Sequence, residues 1–295
     1  MVIIERCPVC GNKQFSQFIS LSDYFLSGEA FDIVQCDQCS FRFTNPRPPD
    51  HDLGRYYESQ EYISHSNTRK GLFSLLYQSI RRRTIRTKFH LISGLSGGKS
   101  ILDIGCATGE LIHYFADHGW KVTGIEPNEK ARQFARDQYQ LQIEDENYLA
   151  AIVPGSFDVV TMWHVLEHVP DLNARLREVK SVLKDEGVFL IAVPNPDSWD
   201  AAHYGKYWAG YDVPRHLHHF TKKAMHQLLE NHGLKVTGEI PMKFDSFYVS
   251  LLSEKYMYGR RKWIAAFWSG IRSNISARSK NNYSSMIFVV KKVKT

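Results

Sequence analysis

Two rhythms alternate along the second half of this chain. Short strand-like segments occupy 100–105, 120–126, 157–163, 188–193, 235–240 and 286–290, with nearly continuous apolar runs at 188–193 and 286–290 and a weaker segment at 141–144. Between them lie stretches whose apolar residues recur three and four apart, such as Leu111, Ile112, Tyr114 and Phe115 after the first run. Runs this short, separated by helical periodicity, predict strands covered on both faces in a mostly parallel sheet. Further helices are predicted over 171–183 and 222–232, the latter capped by Thr221 and ended by Gly233.

The first half is organised differently. Gln14–Ile19 and Phe31–Gln35 are strand-like, Asn45–Asp50 is a proline-rich linker, and 51–95 carries helical spacing at Leu72, Phe73, Leu76, Ile80, Ile85, Phe89 and Ile92. Arg81, Arg82, Arg83, Arg86 and Lys88 fall on that helix; without interleaved aromatics they are expected to be a solvated face rather than a nucleic-acid patch. Residues 244–280 form an insertion before the last strand. Its aromatics at helical spacing, Phe244, Phe247, Tyr248, Trp263, Phe267 and Trp268, are expected to pack on the sheet or on a homodimer partner, with a membrane surface as the weaker alternative. The expected organisation is 1–45 as a small module, 46–95 as linker and helical cap, and 96–295 as the α/β domain.

Composition narrows the class. Hydrophobic residues at 43% and charged residues at 23% are those of a globular chain, which excludes a disordered or fibrous one. No apolar run reaches the length of a membrane span, and MVIIERCPVCG lacks a basic-then-apolar signal region, so the cytoplasm is the expected location. A net charge of +6 permits anionic substrates without requiring them.

Four of the five cysteines form Cys7-x-x-Cys10 and Cys36-x-x-Cys39. Two such knuckles predict a tetrahedral zinc site. Four thiolates saturate the ion and leave no position for water, so the metal is expected to be structural. A disulfide pair or a redox C-x-x-C is the alternative. Cys106 stands apart, in a turn, and is expected to pack as a small apolar residue.

The richest stretch is 101–127. Its first strand enters the turn Gly105-Cys106-Ala107-Thr108-Gly109, a helix follows, and the second strand ends in Glu126-Pro127. Glycines admit close backbone approach, and a carboxylate after the second strand can accept from both hydroxyls of a ribose. The G-x-G-x-x-G of dinucleotide binding is absent; the pattern is D-x-G-x-A-x-G, and Asp103 before the turn repels a pyrophosphate but suits a cationic ligand. Here the sequence resembles the class I S-adenosylmethionine-dependent methyltransferases. The resemblance implies a Rossmann-like α/β fold with a seven-stranded sheet, its last strand antiparallel, here carrying an N-terminal zinc ribbon and helical insertions. It also implies that Asp103, Gly105, Cys106, Ala107 and Gly109 cradle the cofactor and that Glu126 and Pro127 flank its ribose. Asn147 or Tyr148, after the third strand, is expected near the adenine.

Trp163-His164-Val-Leu-Glu167-His168 ends the fourth strand. The same string matches a zinc-peptidase motif, which must lie within a helix; here it straddles a strand end and Pro170 follows. The resemblance is instead to ubiquinone-type O-methyltransferases and their relatives, and places Trp163 and His164 near the transferable methyl. Glu167 and His168 are candidates either for chemistry or for fixing the next helix. The long segment 199–220 reads as a substrate loop rich in aromatics, and DVPRHLHHFT within it resembles bacterial methyltransferases associated with sugars and surface polysaccharides. His164, His216 and His219 are therefore the candidates for proton transfer. The expected activity is O- or C-methylation of a small molecule, a sugar or sugar nucleotide. The alternatives are an RNA methyltransferase using the zinc ribbon, and a non-catalytic zinc-ribbon interaction protein.

Overall fold

The computed structural model describes residues 1–57 and 72–294, with only the backbone of 72–79. The expected positions Leu72, Phe73 and Leu76 lie outside the described side chains. In chain order the strands are β1 (Phe15–Ser22), β2 (Ala30–Cys36), β3 (Arg42–Thr44), β4 (Ser100–Ile104), β5 (Lys121–Ile125), β6 (Ile143–Glu144), β7 (Phe157–Trp163), β8 (Leu183–Pro194), β9 (His218–His219), β10 (Leu234–Pro241) and β11 (Ser285–Lys292). The helices are α1 (Leu72–Leu95), α2 (Glu110–Asp117), α3 (Glu129–Tyr139), α4 (Leu172–Val182), α5 (Trp199–Tyr204), α6 (Lys222–Glu230), α7 (Asp245–Tyr258) and α8 (Trp263–Ala277). No described helix is long and apolar enough to cross a membrane.

The seven-stranded mixed sheet has the order β10-β11-β8-β7-β4-β5-β6, so the chain's last strand is inserted beside β8 rather than added at an edge. This is the seven-stranded architecture expected from the sequence. Around β4 the pairing is parallel on both sides, and its residues are all buried, as its apolar run requires.

The chain divides into two compact units. One comprises Ser59–Trp163, Ala174–Ile191 and Val290–Thr295. In it α2 buries Ile112 and Phe115, and Phe89 of α1 meets the rings of Tyr114, Phe115 and His118. The basic run on α1 is not all free surface: Arg81 pairs with Glu110 at 2.7 Å, and the Lys88 ammonium lies 3.7 Å from the centre of the Trp163 ring.

The other comprises Met1–Glu58, His164–Asn173 and Ala192–Val289. Its sheet has the order β1-β2-β3-β9, with His218 opposite Phe43 and His219 opposite Arg42. The segment 199–220, expected as a substrate loop, packs most of its aromatics inward. Tyr204, Trp208, Tyr211 and Val213 are buried in one core with Leu21, Phe31, Ile33 and Tyr56. Buried Asp200 accepts from Trp208 Nε1 (2.8 Å) within the segment and from Ser273 Oγ (2.7 Å) and Ser284 Oγ (2.7 Å) outside it, which fixes the segment to α8 and to the residue before β11. Thr221 caps α6 as expected, its hydroxyl accepting from the Ala224 N–H.

In the insertion, most of the aromatics expected on the sheet or on a homodimer partner lie at the surface of the single chain. Helices α7 and α8 turn small residues inward (Ser246, Ser250 and Ser253; Ala266, Gly270 and Ser273), while Phe244, Tyr248, Trp263, Phe267 and Trp268 are exposed. At Gly270 the ring of Phe247 packs so closely that a Cβ would sit 2.6 Å from it. Close helix contact through small residues displaces the large ones to the surface.

Candidate functional site

The glycine turn is built by the end of β4 and held by the end of β5. Gly105 and Cys106 donate their N–H groups to the Ile125 carbonyl at 2.7 and 3.1 Å. Gly105 (φ +73°) and Gly109 (φ +77°) are in the left-handed region, which costs a side chain strain, and Ala107 between them is at +49°. At Gly109 an added Cβ would also press Ile143 at 3.0 Å. Cys106 is buried with Ile112, Ala135 and Ile143, as a small packing residue would be.

Glu126 reaches back into this turn. Its Oε2 accepts from the Ala107 N–H at 2.9 Å and its Oε1 from the Asn128 N–H at 3.0 Å. Asn128 caps α3, and Arg132 donates to the Glu126 and Pro127 carbonyls, so the acidic tip of β5 is fixed from both sides. Asp103, 3% exposed, lies opposite Thr161 in register and accepts from its hydroxyl at 2.5 Å. Burial pushes the Asp103 carboxyl up to about 6; Glu126 pushes the same way, and the Thr161 hydroxyl and Lys88 ammonium resist. Asn147 and Tyr148 lie in the 3-10 turn Glu146–Ala151 after β6, both exposed, and neighbouring Glu146 pairs with Arg175 of α4.

His164 opens a second cluster, immediately after Trp163 in the chain. Its φ of +56° is strained for a residue with a side chain, and its N–H donates to the Ala192 carbonyl at 2.9 Å. The ring bridges two carboxylates: Nδ1 is 3.3 Å from Glu167 Oε1 and Nε2 is 3.1 Å from Asp245 Oδ2. Burial opposes charge on this ring, yet Asp245 and Glu167 override it and raise His164 to about 10. At neutral pH His164 is therefore an imidazolium. Glu167 is fully buried; burial alone would raise its pKa, but His164 above all holds it below the usual range. Among the described residues its Oε2 has no hydrogen-bond partner.

His216 and His168 complete this cluster, their rings 4.6 Å apart. His216 Nδ1 donates to the Gly210 carbonyl at 2.9 Å, and its Nε2 edge is 4.0 Å from Glu167 Oε1. His168 Nδ1 donates to the Arg215 carbonyl at 2.9 Å. Burial, reinforced by His216, lowers His168 to about 4. His219 is elsewhere: on β9, 3% exposed, with Nε2 directed at the Thr44 hydroxyl (3.4 Å). The structure thus joins His164 and His216 through Glu167 and leaves His219 in the four-stranded sheet. Asp245 was invisible in the sequence, because 81 positions separate it from the histidine it holds.

The four cysteines converge. Their sulfurs all lie within 4.8 Å of one another, with Cys7–Cys39 and Cys10–Cys36 at 3.5 Å. Zinc–sulfur arms of about 2.3 Å give a tetrahedron with edges of about 3.8 Å, which these spacings fit. The first knuckle is anchored from far along the chain: the Pro8 carbonyl accepts from Asn173 and the Val9 carbonyl from Asn231.

A family model described as a methyltransferase domain matches residues 77–239, more than half of the chain. The ubiquinone biosynthesis O-methyltransferase of Xanthomonas euvesicatoria pv. vesicatoria (strain 85-10) is 32% identical over 179 residues, 56% of this chain and 73% of that protein. Its counterpart from Sodalis glossinidius (strain morsitans) is 38% identical over 141 residues, 44% of this chain; the chain spans only 56% of that relative's length. Among solved structures, the Burkholderia thailandensis 1,6-didemethyltoxoflavin-N1-methyltransferase with bound 1,6-didemethyltoxoflavin and S-adenosylhomocysteine aligns over 92% of this chain and 98% of its own. The TM-score is 0.51 at 15% identity, a likeness of fold alone. The chain belongs to the methyltransferase-domain family, built on the fold of the class I S-adenosylmethionine-dependent enzymes.

Proposed function

We propose that this protein transfers a methyl group from S-adenosylmethionine to a small-molecule acceptor, a sugar or sugar nucleotide, at a hydroxyl or an acidic C–H. The observation that carries the reading is the pair of carboxylates, Asp103 and Glu126, on one glycine turn: Glu126 bonds the turn directly and adds to the upward push on Asp103. Two anionic groups there disfavour a pyrophosphate and suit a ligand bearing ammonium and sulfonium charge. Glu126 spends one acceptor site of each oxygen on backbone N–H groups, which leaves lone pairs for ribose hydroxyls.

When bound, S-adenosylmethionine supplies an electrophilic methyl and a neutral leaving group. The residues of this chain supply the proton acceptor. His216 presents Nε2, because Nδ1–H is committed to Gly210. The proton lost by the acceptor goes to that nitrogen, and the Glu167 carboxylate 4.0 Å away stabilises the imidazolium that forms. His164, already charged between Glu167 and Asp245, acts as a hydrogen-bond donor rather than as the base. The names of the relatives support an oxygen acceptor, and the sugar-associated likeness of the DVPRHLHHFT segment supports the substrate class. Tritiated cofactor offered to a small-molecule extract and to RNA tests the reading. Label is expected in the small-molecule fraction, and label confined to RNA would overturn it.

Cofactor affinity should depend on pH through Asp103. Its pKa is raised to about 6, so the carboxylate is lost as pH falls through that value. Ionised fractions at pH 7.5 and 5.5 then differ about fourfold, and affinity by calorimetry is expected to fall by up to about that factor. The Asp103→Asn protein should bind more weakly and show none of this dependence; an unchanged pH profile in the variant would remove Asp103 from the cofactor's surroundings.

The four-cysteine cluster is assigned a structural zinc, held by Cys7, Cys10, Cys36 and Cys39. Purified protein is expected to contain one zinc per chain by plasma emission spectroscopy. Chelation or Cys36→Ser should lower Tm by more than about 5 °C, because removal of a structural metal forfeits several kcal/mol of folding energy. A metal-free protein with an unshifted Tm would refute the site.

A further inference from the structure

The insertion presents a surface that the proposed chemistry leaves unused. On α8, Trp263, Ile264, Phe267, Trp268 and Ile275 are all exposed, Ile264 by 78% and Trp268 by 58%. At 100° per residue they fall within an arc of about 140°, opposite the buried Ala266, Ser269, Gly270, Ser273 and Ala277. Phe244, at the start of α7, and Tyr248 within it are exposed as well. A helix that packs through alanine, serine and glycine while showing tryptophan, phenylalanine and isoleucine to solvent reverses the usual amphipathic arrangement. A contiguous apolar face of this kind marks a contact site.

Charge identifies what covers it. Lys243, Arg260, Arg261, Arg272, Arg278 and Lys280 are exposed along the same segment. Its two acids are withdrawn: Asp245 is held by His164, and Glu254 is buried against Tyr204. The exposed charge of the insertion is therefore wholly cationic. A second copy of the chain docked through this face would set arginine against arginine, which like-charge repulsion disfavours. Tryptophan and isoleucine with a flanking basic cluster instead match the interfacial region of an anionic bilayer, where aromatic rings enter the headgroup layer and cations meet lipid phosphates.

We propose that α7, α8 and the Arg260–Lys262 turn between them form a docking surface for anionic phospholipid membranes. The test is cosedimentation of the full-length chain with vesicles of phosphatidylcholine alone and of phosphatidylcholine mixed with phosphatidylglycerol. Binding is expected only to the anionic vesicles, at least tenfold above the neutral ones, and is expected to weaken in high salt. The exposed pair Ile264→Glu and Trp268→Glu should reduce binding at least tenfold, with circular dichroism, Tm and cofactor affinity unchanged. Arg260→Ala with Arg261→Ala should weaken it without touching the apolar face. Equal recovery with both vesicle types would overturn the proposal. So would light scattering that shows a dimer broken by the same glutamates, with no binding to vesicles.

Discussion

Replacement of Glu126 by alanine is expected to weaken binding of S-adenosylmethionine by about a hundredfold or more. Two contributions add. The carboxylate offers charge-assisted hydrogen bonds to the ribose hydroxyls, each about 1.5–3 kcal/mol. It also bonds the Ala107 N–H at 2.9 Å, so its loss releases the turn that must approach the ligand. Because the turn keeps the bonds of Gly105 and Cys106 to Ile125, the fold should survive, with Tm within a few degrees of the parent. Glu126→Gln, which keeps the shape and one acceptor, should fall between the two. Calorimetry decides: a tight complex with the alanine protein would remove the ribose assignment.

The second large effect belongs to the proton acceptor. His216→Asn should lower kcat by about 10²–10³, the usual worth of a positioned base. The asparagine amide can still donate to Gly210 as Nδ1 does, so packing around the site is spared. Cofactor affinity should be unchanged, since the effect is confined to the chemical step. His219→Asn supplies the contrast. That ring is buried in the four-stranded sheet and bonded to Thr44, so its loss should lower Tm and leave kcat within a few fold. A result with the two histidines exchanged would place the chemistry at β9 of the four-stranded sheet.

Much of the α/β part was legible because its strands obey one rule. An apolar run covered on both faces has little alternative to a sheet interior, and β4 and β7 lie within a residue or two of the runs that predicted them; β5, only partly covered, is marked by the turn and acidic residue that flank it. β8 is longer than its run: it begins at Leu183, five residues before Val188, through a polar stretch that periodicity alone leaves unassigned. The segment around Trp208 misled for another reason. Aromatic residues in a polar loop look alike whether they wait for a ligand or fill a core, and only the buried Asp200 with its three donors settles which. In the insertion, helical spacing finds an apolar stripe but cannot say which side of the helix is turned inward. The Asp245–His164 contact left no local signature at all.

The anchoring of the first cysteine knuckle has a consequence for biosynthesis. Cys7, Cys10, Cys36 and Cys39 leave the ribosome well before the amides that clasp Pro8 and Val9, which belong to Asn173 and Asn231. At translation rates of 5–20 residues per second, roughly 10–40 s separate the two events. During that interval the thiols have only the nearby β-hairpin to shelter them. Metal scarcity or oxidant in the cell should therefore injure newly made chains far more than finished ones, and pulse-labelled protein would record the difference.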